Sequence, residues 1–237
     1  MAGKTLEIEK YYSVRYHAKG ESRAQKEKPS SEAVRKINLR RAVKKLRRLM
    51  NANFQDGDYL IRLDFFKEKP KDSIEMQKLI QKAIRKLKNE YIKSRQELKY
   101  IYVKEVGPKG SRHVHMMVNK CDSDLIRRCW PYGGIHIDPL TSNGQYSKIA
   151  EYFVKYSERT EKTEERLIGK RWYASRNLVK PVVKKKPILA CRFREKMHVP
   201  KGWYLEKESI RSGISEITGY EYLSYTLIKS KETVRSE

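Results

Sequence analysis

The sequence predicts an α+β fold built on an antiparallel sheet, and three observations support this prediction. Hydrophobic residues make up 38% and aromatic residues 10% of the 237 positions, which is enough for a packed core. Between residues 59 and 138, short apolar runs and amphipathic runs follow one another in the order β-α-β-β-α-β. Turn residues, such as those around Gly107 and Gly133, separate these runs. This order is the ferredoxin-like (RRM-like) arrangement, an antiparallel sheet with two helices on one face.

Each element follows from the period of its apolar residues and from the residues at its ends. The predicted strands are Tyr59–Phe66, Leu98–Val106, Arg112–Asn119 and Gly133–Asp138. The predicted helices are Asp72–Lys93, Asp122–Trp130 and Gly144–Glu158. Because the helices of such a fold cover one face, we expect the other face of the sheet to be open, and folds of this shape commonly bind nucleic acid there.

Composition divides the chain into three segments. Residues 55–160 form the predicted core domain, and residues 1–54 form an N-terminal basic helical extension of it. Residues 161–237 are basic and aromatic, and we interpret them as a C-terminal extension that wraps the core or enlarges a DNA-binding surface.

The N-terminal extension contains a weak strand at Lys10–His17 and an amphipathic helix over residues 31–53. Basic residues lie between the apolar positions of that helix: Arg40, Arg41, Lys44, Lys45, Arg47 and Arg48. The helix is therefore either a solvated surface helix or one that contacts phosphates, and the charge of the whole chain favours the second interpretation.

The charge of the chain points to a polyanionic partner. Lys and Arg number 54 against 29 Asp and Glu, so the formal net charge is +25. Nucleic acid is the leading candidate partner, because Lys and Arg that contact phosphates release condensed counterions. No run approaches the ~20 apolar residues of a membrane span, and the N-terminus lacks the apolar core of a signal peptide. Three cysteines without CxxC spacing fit a reducing, intracellular setting rather than a zinc knuckle or disulfide framework.

The triplet His113-Val114-His115 carries the first chemical signal. On a strand the two imidazoles project from the same face, while Val114 faces the helices. Such a pair is either two ordinary surface histidines or a metal-ligand arrangement. If the loop over residues 107–111 has five residues, Glu105 pairs with His113 across the hairpin and shares its face. Glu105, His113 and His115 are then candidate ligands for one Mg²⁺ or Mn²⁺ ion.

The second signal is Tyr152-Phe153-Val154-Lys155-Tyr156 on the last predicted helix. Tyr152 and Tyr156 are four residues apart and so lie on one helix face, with Lys155 one turn from Tyr152. Tyrosine is a poor nucleophile at its free pKa of ~10, and a nearby lysine favours the phenolate. The alternative is an aromatic face that packs on the sheet. Together with Glu105 and the histidines, the catalytic interpretation is favoured.

The His113-Val114-His115 triplet, followed some 35 residues later by the Tyr152-to-Tyr156 helix, resembles the HUH endonucleases. Within these it most resembles the rolling-circle replication initiators (Rep proteins) of bacterial plasmids and small single-stranded DNA phages. The resemblance covers roughly residues 59–160. One departure is the strand Tyr59–Phe66, which lacks the threonines usual in the family's first motif.

The resemblance implies a function and a role for each site residue. His113 and His115 would be metal ligands with Glu105 as the third, and Tyr152 would attack a DNA phosphate to form a 5′-phosphotyrosine. Lys155 would orient the metal or the phosphate, and Tyr156 fits the second nucleophile of two-tyrosine initiators. The released 3′-OH would prime a host polymerase.

The biological setting also follows from the resemblance. The substrate would be a single-stranded or hairpin origin in the cytoplasm of a bacterial host, with no membrane involved. A host helicase would unwind the duplex, since the sequence has no GxxxxGK[ST] motif. The sequence does not indicate an oligomeric state.

Two other functions remain open at this point. An HUH transposase or conjugative relaxase would use the same chemistry. Relaxases usually place the tyrosine before the histidine motif, and transposases of this type are usually shorter. A non-catalytic, RRM-like nucleic-acid-binding module would need aromatic residues on the two central strands, where His113, His115 and Met117 stand instead.

Overall fold

The computed structural model describes residues 1–12, 31–107, 110–141, 144–161, 170–187, 197–215 and 219–230. Within these ranges the strands are β1 (Thr5–Tyr11), β2 (Tyr59–Asp64), β3 (Tyr100–Val106), β4 (Arg112–Val118), β5 (Ile135–Pro139), β6 (Tyr173–Ala174), β7 (Trp203–Ile214) and β8 (Glu221–Lys229). The helices are α1 (Ser31–Asn53), α2 (Ser73–Lys93), α3 (Ser123–Cys129) and α4 (Ser147–Glu161). None of these helices is long and apolar enough to cross a membrane.

The chain forms two compact units, one of residues 41–180 and one of residues 1–40 together with 181–237. The composition predicts three consecutive segments instead. The contacts divide the chain differently because β1, near the N-terminus, pairs along its whole length with β8.

The larger unit is built on a five-stranded sheet with the order β5-β2-β4-β3-β6, and every neighbouring pair is antiparallel. The four predicted strands are β2, β3, β4 and β5, in the order that a ferredoxin-like fold requires. The α+β class is therefore confirmed. The additional strand β6 was not predicted, since its two residues are too few to show a period.

One face of this sheet packs against α2 and α3. Val114, Met116 and Val118 of β4 join a buried apolar cluster with residues from both helices. Helix α2 begins at Asp72, whose carboxylate accepts hydrogen bonds from the backbone N–H of Ile74 and Glu75. The predicted alternation of β4 is thus confirmed, with its valines and Met116 in this core.

The opposite face was expected to be open, and this expectation is wrong for its β3–β4 half. Helix α4 packs there against β3. Val103 and Met117 are completely buried, and His115 is only 6% exposed. The apolar face of α4 needs a partner, and the apolar side chains of β3 on this face provide it.

The smaller unit contains a three-stranded antiparallel sheet with the order β1-β8-β7. Leu223, Tyr225 and Leu227 of β8 form its buried core. The strand predicted at Lys10–His17 is instead β1, which ends at Tyr11, and residues 13–30 lie outside the described ranges. The helix predicted over residues 31–53 is confirmed as α1.

Candidate active site

The hairpin of β3 and β4 sets the geometry of the candidate site. Val106 pairs with Arg112 and Glu105 pairs with His113, so the predicted five-residue loop and its register are confirmed. The backbone N–H of Gly107 donates to the carbonyl oxygen of Ser111 at 2.7 Å and closes the loop. Because side chains alternate along a strand, Glu105, His113 and His115 project from the same face of the sheet.

Each histidine is paired with a carboxylate. His113 Nδ1 lies 2.5 Å from Asp64 Oδ1, and His115 Nε2 lies 2.7 Å from Glu105 Oε2. Since a carboxylate accepts hydrogen bonds, each imidazole donates a ring N–H to its partner. The side chains of His115 and Glu105 are only 7% and 14% exposed, so this pair is shielded from water.

These pairs fit a divalent cation in their chemistry. With its Nδ1–H donated to Asp64, His113 holds a lone pair on Nε2, which lies 3.0 Å from Ser111 Oγ. A carboxylate that fixes the tautomer of a histidine in this way is typical of metal-binding imidazoles. In this conformation the side chains form two separate pairs, and no three His, Cys, Asp or Glu side chains of the described residues converge as metal ligands.

The two tyrosines of α4 meet the sheet at His115. The ring centroid of Tyr152 lies 5.1 Å from that of His115 and the ring of Tyr156 lies 5.0 Å from it. The two tyrosine rings lie 4.2 Å apart. Tyr152 remains 37% exposed, so its hydroxyl group is accessible to a substrate. Two motifs that are far apart in sequence are thus brought together where α4 meets β4.

The pKa of Tyr152 is raised, contrary to the expectation that Lys155 would favour the phenolate. Burial is the main cause, followed by a hydrogen bond to Tyr156 and the negative charge of Glu105, while Arg62 lowers the pKa. Lys155 is exposed and is not among the described groups that shift this pKa. Tyr152 therefore keeps its proton at neutral pH.

Asp64 and Arg62 complete the site, and neither was predicted from the sequence. In the pairing of β2 with β4, Asp64 lies opposite His113 and Arg62 lies opposite His115. Arg62 Nε donates to Asp64 Oδ1 at 3.0 Å. A signal was present: alternation along β2 puts both residues on one face, and the ferredoxin-like order places β2 beside β4.

A glycine fixes the backbone that carries Asp64. A Cβ atom at Gly133 would lie 2.0 Å from the carbonyl oxygen of Asp64, so no larger residue fits there. The N–H of Asp64 donates to the carbonyl of Gly134 at 2.9 Å, and the indole Nε1 of Trp130 donates to the Asp64 carbonyl at 3.1 Å. These contacts hold the end of β2 in position beside His113.

Beyond Asp64, the same face is polar and open. Arg62, His136 and Asp138 follow one another towards the β5 edge, with side chains that are 49%, 71% and 56% exposed. His136 Nε2 lies 3.2 Å from Asp138 Oδ1. The site therefore lies at a boundary, with α4 on one side and an accessible polar surface on the other.

Comparison with protein families associates the chain with DNA replication. The family model described as Replication-associated protein ORF2 matches residues 58–161, somewhat less than half of the chain. The matched range runs from β2 to the end of α4 and includes both histidines, Glu105, Asp64 and both tyrosines. No curated protein and no solved structure is significantly similar to the chain.

Proposed function

We propose that this protein is a metal-dependent, site-specific DNA nicking and joining enzyme that initiates rolling-circle replication through a 5′-phosphotyrosine intermediate. The observation that carries the proposal is the meeting of Tyr152 and Tyr156 with His115, which is itself paired with Glu105. Candidate nucleophiles and candidate metal ligands come from different elements and converge at one accessible place. The match to a replication-associated family over the same residues supports this proposal.

Single-stranded DNA would reach the site over the open, polar half of the sheet. The net charge of +25 attracts the phosphate backbone, and Arg62 is an exposed cation beside both histidine–carboxylate pairs. The two acidic groups beside Arg62, Asp64 and Asp138, would repel a phosphate, so the scissile phosphate would lie between Arg62 and the tyrosines.

The proposed chemistry is a transesterification in which the number of phosphodiester bonds is conserved. The Tyr152 oxygen attacks the phosphorus, a bond forms between them, and the bond from phosphorus to the 3′ oxygen breaks. The phenolic proton is transferred to the departing 3′ oxygen, which becomes a 3′-OH. Because the pKa of Tyr152 is raised, this proton is present when the substrate binds and must leave during the reaction.

His113, His115 and Glu105 would hold the Mg²⁺ or Mn²⁺ ion. When bound, the cation would polarise the scissile phosphate and stabilise the charge that develops on its oxygens. Asp64 would orient His113 by accepting its Nδ1–H, and Ser111 would face the other ring nitrogen. Lys155, which is exposed on α4, would contact the DNA backbone rather than activate the tyrosine.

Tyr152 is the stronger candidate for the first nucleophile, and Tyr156 would act second or position it. Tyr152 is the more exposed of the two and is the one near Arg62 and Glu105. In the cell, the 3′-OH would prime a host polymerase in the bacterial cytoplasm after a host helicase opens the duplex. A second transesterification would then rejoin the displaced strand.

The test is detection of the covalent intermediate. Wild-type protein is incubated with a pool of single-stranded oligonucleotides and Mn²⁺, separated on a denaturing gel, and digested for mass analysis. We expect an adduct on the peptide that carries Tyr152 and Tyr156, absent in Tyr152→Phe and present in the control Tyr204→Phe, which alters an exposed tyrosine of the smaller unit.

Other results would change the assignment. An adduct that persists in Tyr152→Phe and disappears in Tyr156→Phe makes Tyr156 the first nucleophile. Tight, salt-sensitive binding with no adduct or cleavage for any oligonucleotide or hairpin contradicts the nuclease and favours the RRM-like binding module. Cleavage with joining to a second, unrelated DNA end rather than circularisation favours a transposase or relaxase.

A further inference from the structure

A cavity of about 630 Å³ lies on the opposite side of the sheet from the histidines, where the segment 170–176 runs beside α2 at the β6 edge. Tyr100, Tyr102, Trp172 and Tyr173 contribute aromatic rings to its wall. Along β3, Tyr100 and Tyr102 alternate with Glu105, so they project from the other face. The cavity is therefore separate from the candidate active site.

The aromatic wall is held rigidly by the surrounding core. The rings of Tyr102 and Tyr173 are stacked with centroids 4.9 Å apart and planes within 9°, and Tyr100 lies 5.9 Å from Tyr102. Lys104 Nζ lies 5.3 Å from the centre of the Tyr173 ring and donates to Ser73 Oγ at 2.9 Å. Tyr102 is buried in the core, whereas Tyr100 and Tyr173 are only partly buried and offer ring surface to the cavity.

Three cations line the same cavity: Arg85 of α2, and Lys170 and Arg176 on the other side. All three are exposed, and the guanidinium of Arg176 is close enough to act on the Tyr100 phenol. No acidic residue lines the cavity among the described residues. The lining thus combines flat aromatic surface with positive charge, which is the combination that binds single-stranded nucleic acid without strict sequence preference.

One buried polar atom in the lining lacks a partner. Gln77 donates through Nε2 to the hydroxyl of Tyr102 at 2.8 Å, but its Oε1 is buried with no hydrogen-bond partner among the described residues. An unsatisfied buried acceptor is unfavourable, and a ligand that brings an N–H group removes the cost. Every nucleobase carries such a donor, so a base bound against the tyrosines would complete the hydrogen bonding of Gln77.

We propose that this cavity, which we call the β6-edge pocket (Gln77, Arg85, Tyr100, Trp172, Tyr173 and Arg176), is a second binding site for single-stranded DNA. A base stacks on the aromatic wall, its N–H donor reaches Gln77 Oε1, and the flanking phosphates lie near Arg85 and Arg176. The pocket holds a part of the strand away from the scissile phosphate, because it opens on the other face of the sheet. The choice of DNA as the ligand rests on the proposed function, whereas the stacking geometry does not.

The test measures binding without cleavage, in buffer that contains chelator and no divalent cation. A fluorescent thymidine oligonucleotide is titrated with wild type and with Trp172→Ala. We expect the affinity of Trp172→Ala to fall roughly five- to 150-fold, as is usual when a stacking aromatic is removed. Affinity for a duplex of mixed sequence should change less than twofold. An unchanged affinity for the single strand, or an equal loss on duplex, overturns the proposal.

A second pair of variants keeps the test valid if Trp172→Ala is unstable. Arg85 and Lys86 are neighbouring exposed cations of α2, but Lys86 lies on the side of Cys129 and is not part of the pocket. Arg85→Gln should weaken single-strand binding and lower the salt slope by about one, and Lys86→Gln should change both less. Equal effects of the two substitutions contradict a local site and indicate only general attraction by positive charge.

Tryptophan fluorescence supplies an independent signal. Stacking of a base on Trp172 should quench emission, so the quenching seen in wild type should be lost in Trp172→Phe and retained in Trp203→Phe. These results are separable from those for nicking. An adduct on Tyr152 together with normal binding by Trp172→Ala refutes the pocket alone, and weakened binding without any adduct refutes the nuclease alone.

Discussion

The two faces of the five-stranded sheet are covered by helices in different ways. On the α2–α3 face, Val114, Met116 and Val118 belong to one continuous apolar core. On the α4 face, Met117 is buried as fully as Met116, but His115 and His113 follow it along β4 towards an exposed polar surface. One face stabilises the fold, whereas the other is part core and part site. A polar side chain on a sheet therefore marks a boundary as readily as an open face.

The largest expected effect separates the polar boundary from the surface beyond it. His113→Ala should reduce metal-dependent adduct formation by more than about a hundredfold, because groups that only orient metal ligands are already worth ~10–100-fold. His136→Ala, on the same face but 71% exposed, should change the rate less than twofold. The measurement is the single-turnover rate of adduct formation at saturating Mn²⁺. Full activity of His113→Ala would remove the metal-site proposal.

The next prediction compares the two cores directly through adjacent residues. Met116→Ala and Met117→Ala should each lower the free energy of unfolding by about 2–5 kcal/mol, since both side chains are buried and each deletion leaves a cavity. Urea denaturation followed by circular dichroism measures both. An open α4 face would instead predict almost no change for Met117→Ala, so a loss below ~0.5 kcal/mol would contradict the packing of α4 on this face.

A smaller effect tests how His113 is held. Asp64→Asn keeps the shape of the side chain but weakens the bond that it accepts from His113 Nδ1. We expect the rate of adduct formation to fall ~10–100-fold, with the apparent affinity for Mn²⁺ reduced to a similar extent. Asp138→Asn provides the matched control on the neighbouring strand. Loss of DNA binding by Asp64→Asn, with its metal affinity intact, would show that Asp64 acts on the substrate instead.

The smallest effect concerns alkaline pH and the α2–α3 face. Burial raises the pKa of both Tyr91 and Tyr102. Above pH ~10 these phenols ionise more readily in the unfolded chain, which then binds fewer protons, so stability decreases as pH rises. Each tyrosine contributes a slope of at most about 1.4 kcal/mol per pH unit. Urea midpoints between pH 9 and 11 should fall less steeply in Tyr102→Phe than in Tyr204→Phe, and equal slopes would contradict the assignment to Tyr102.

Much of the fold was predictable because local signals and global topology agree. The period of Ile80, Leu87 and Tyr91 identified α2, Asp72 and Asp122 marked helix starts, and the hairpin register followed from a five-residue loop. The position of α4 was not predictable from periodicity, which shows that a helix has an apolar side but not which surface covers it. The pairing of β1 with β8 joins the two ends of the chain, and no local pattern encodes such a contact.

The candidate site was predictable only where its residues form a short pattern. His113, His115, Glu105 and the tyrosines stand at recognisable spacings, whereas Asp64 and Ser111 are related to them only through strand pairing and loop geometry. The predicted effect of Lys155 is wrong, because proximity along a helix is not proximity of charge to the phenol. Burial against His115 and the bond to Tyr156 determine the pKa of Tyr152 instead.

The contact of Gly133 with Asp64 limits how this protein can be redesigned. Any side chain at position 133 would displace the Asp64 carbonyl, and the carboxylate beside His113 would move with it. A library that varies the turn before β5 in order to alter DNA preference would therefore mostly return inactive proteins. Variation at Arg62, His136 and Asp138 is free of this restriction, since their side chains project into solvent. Specificity is thus adjustable from the surface of the sheet but not from its turns.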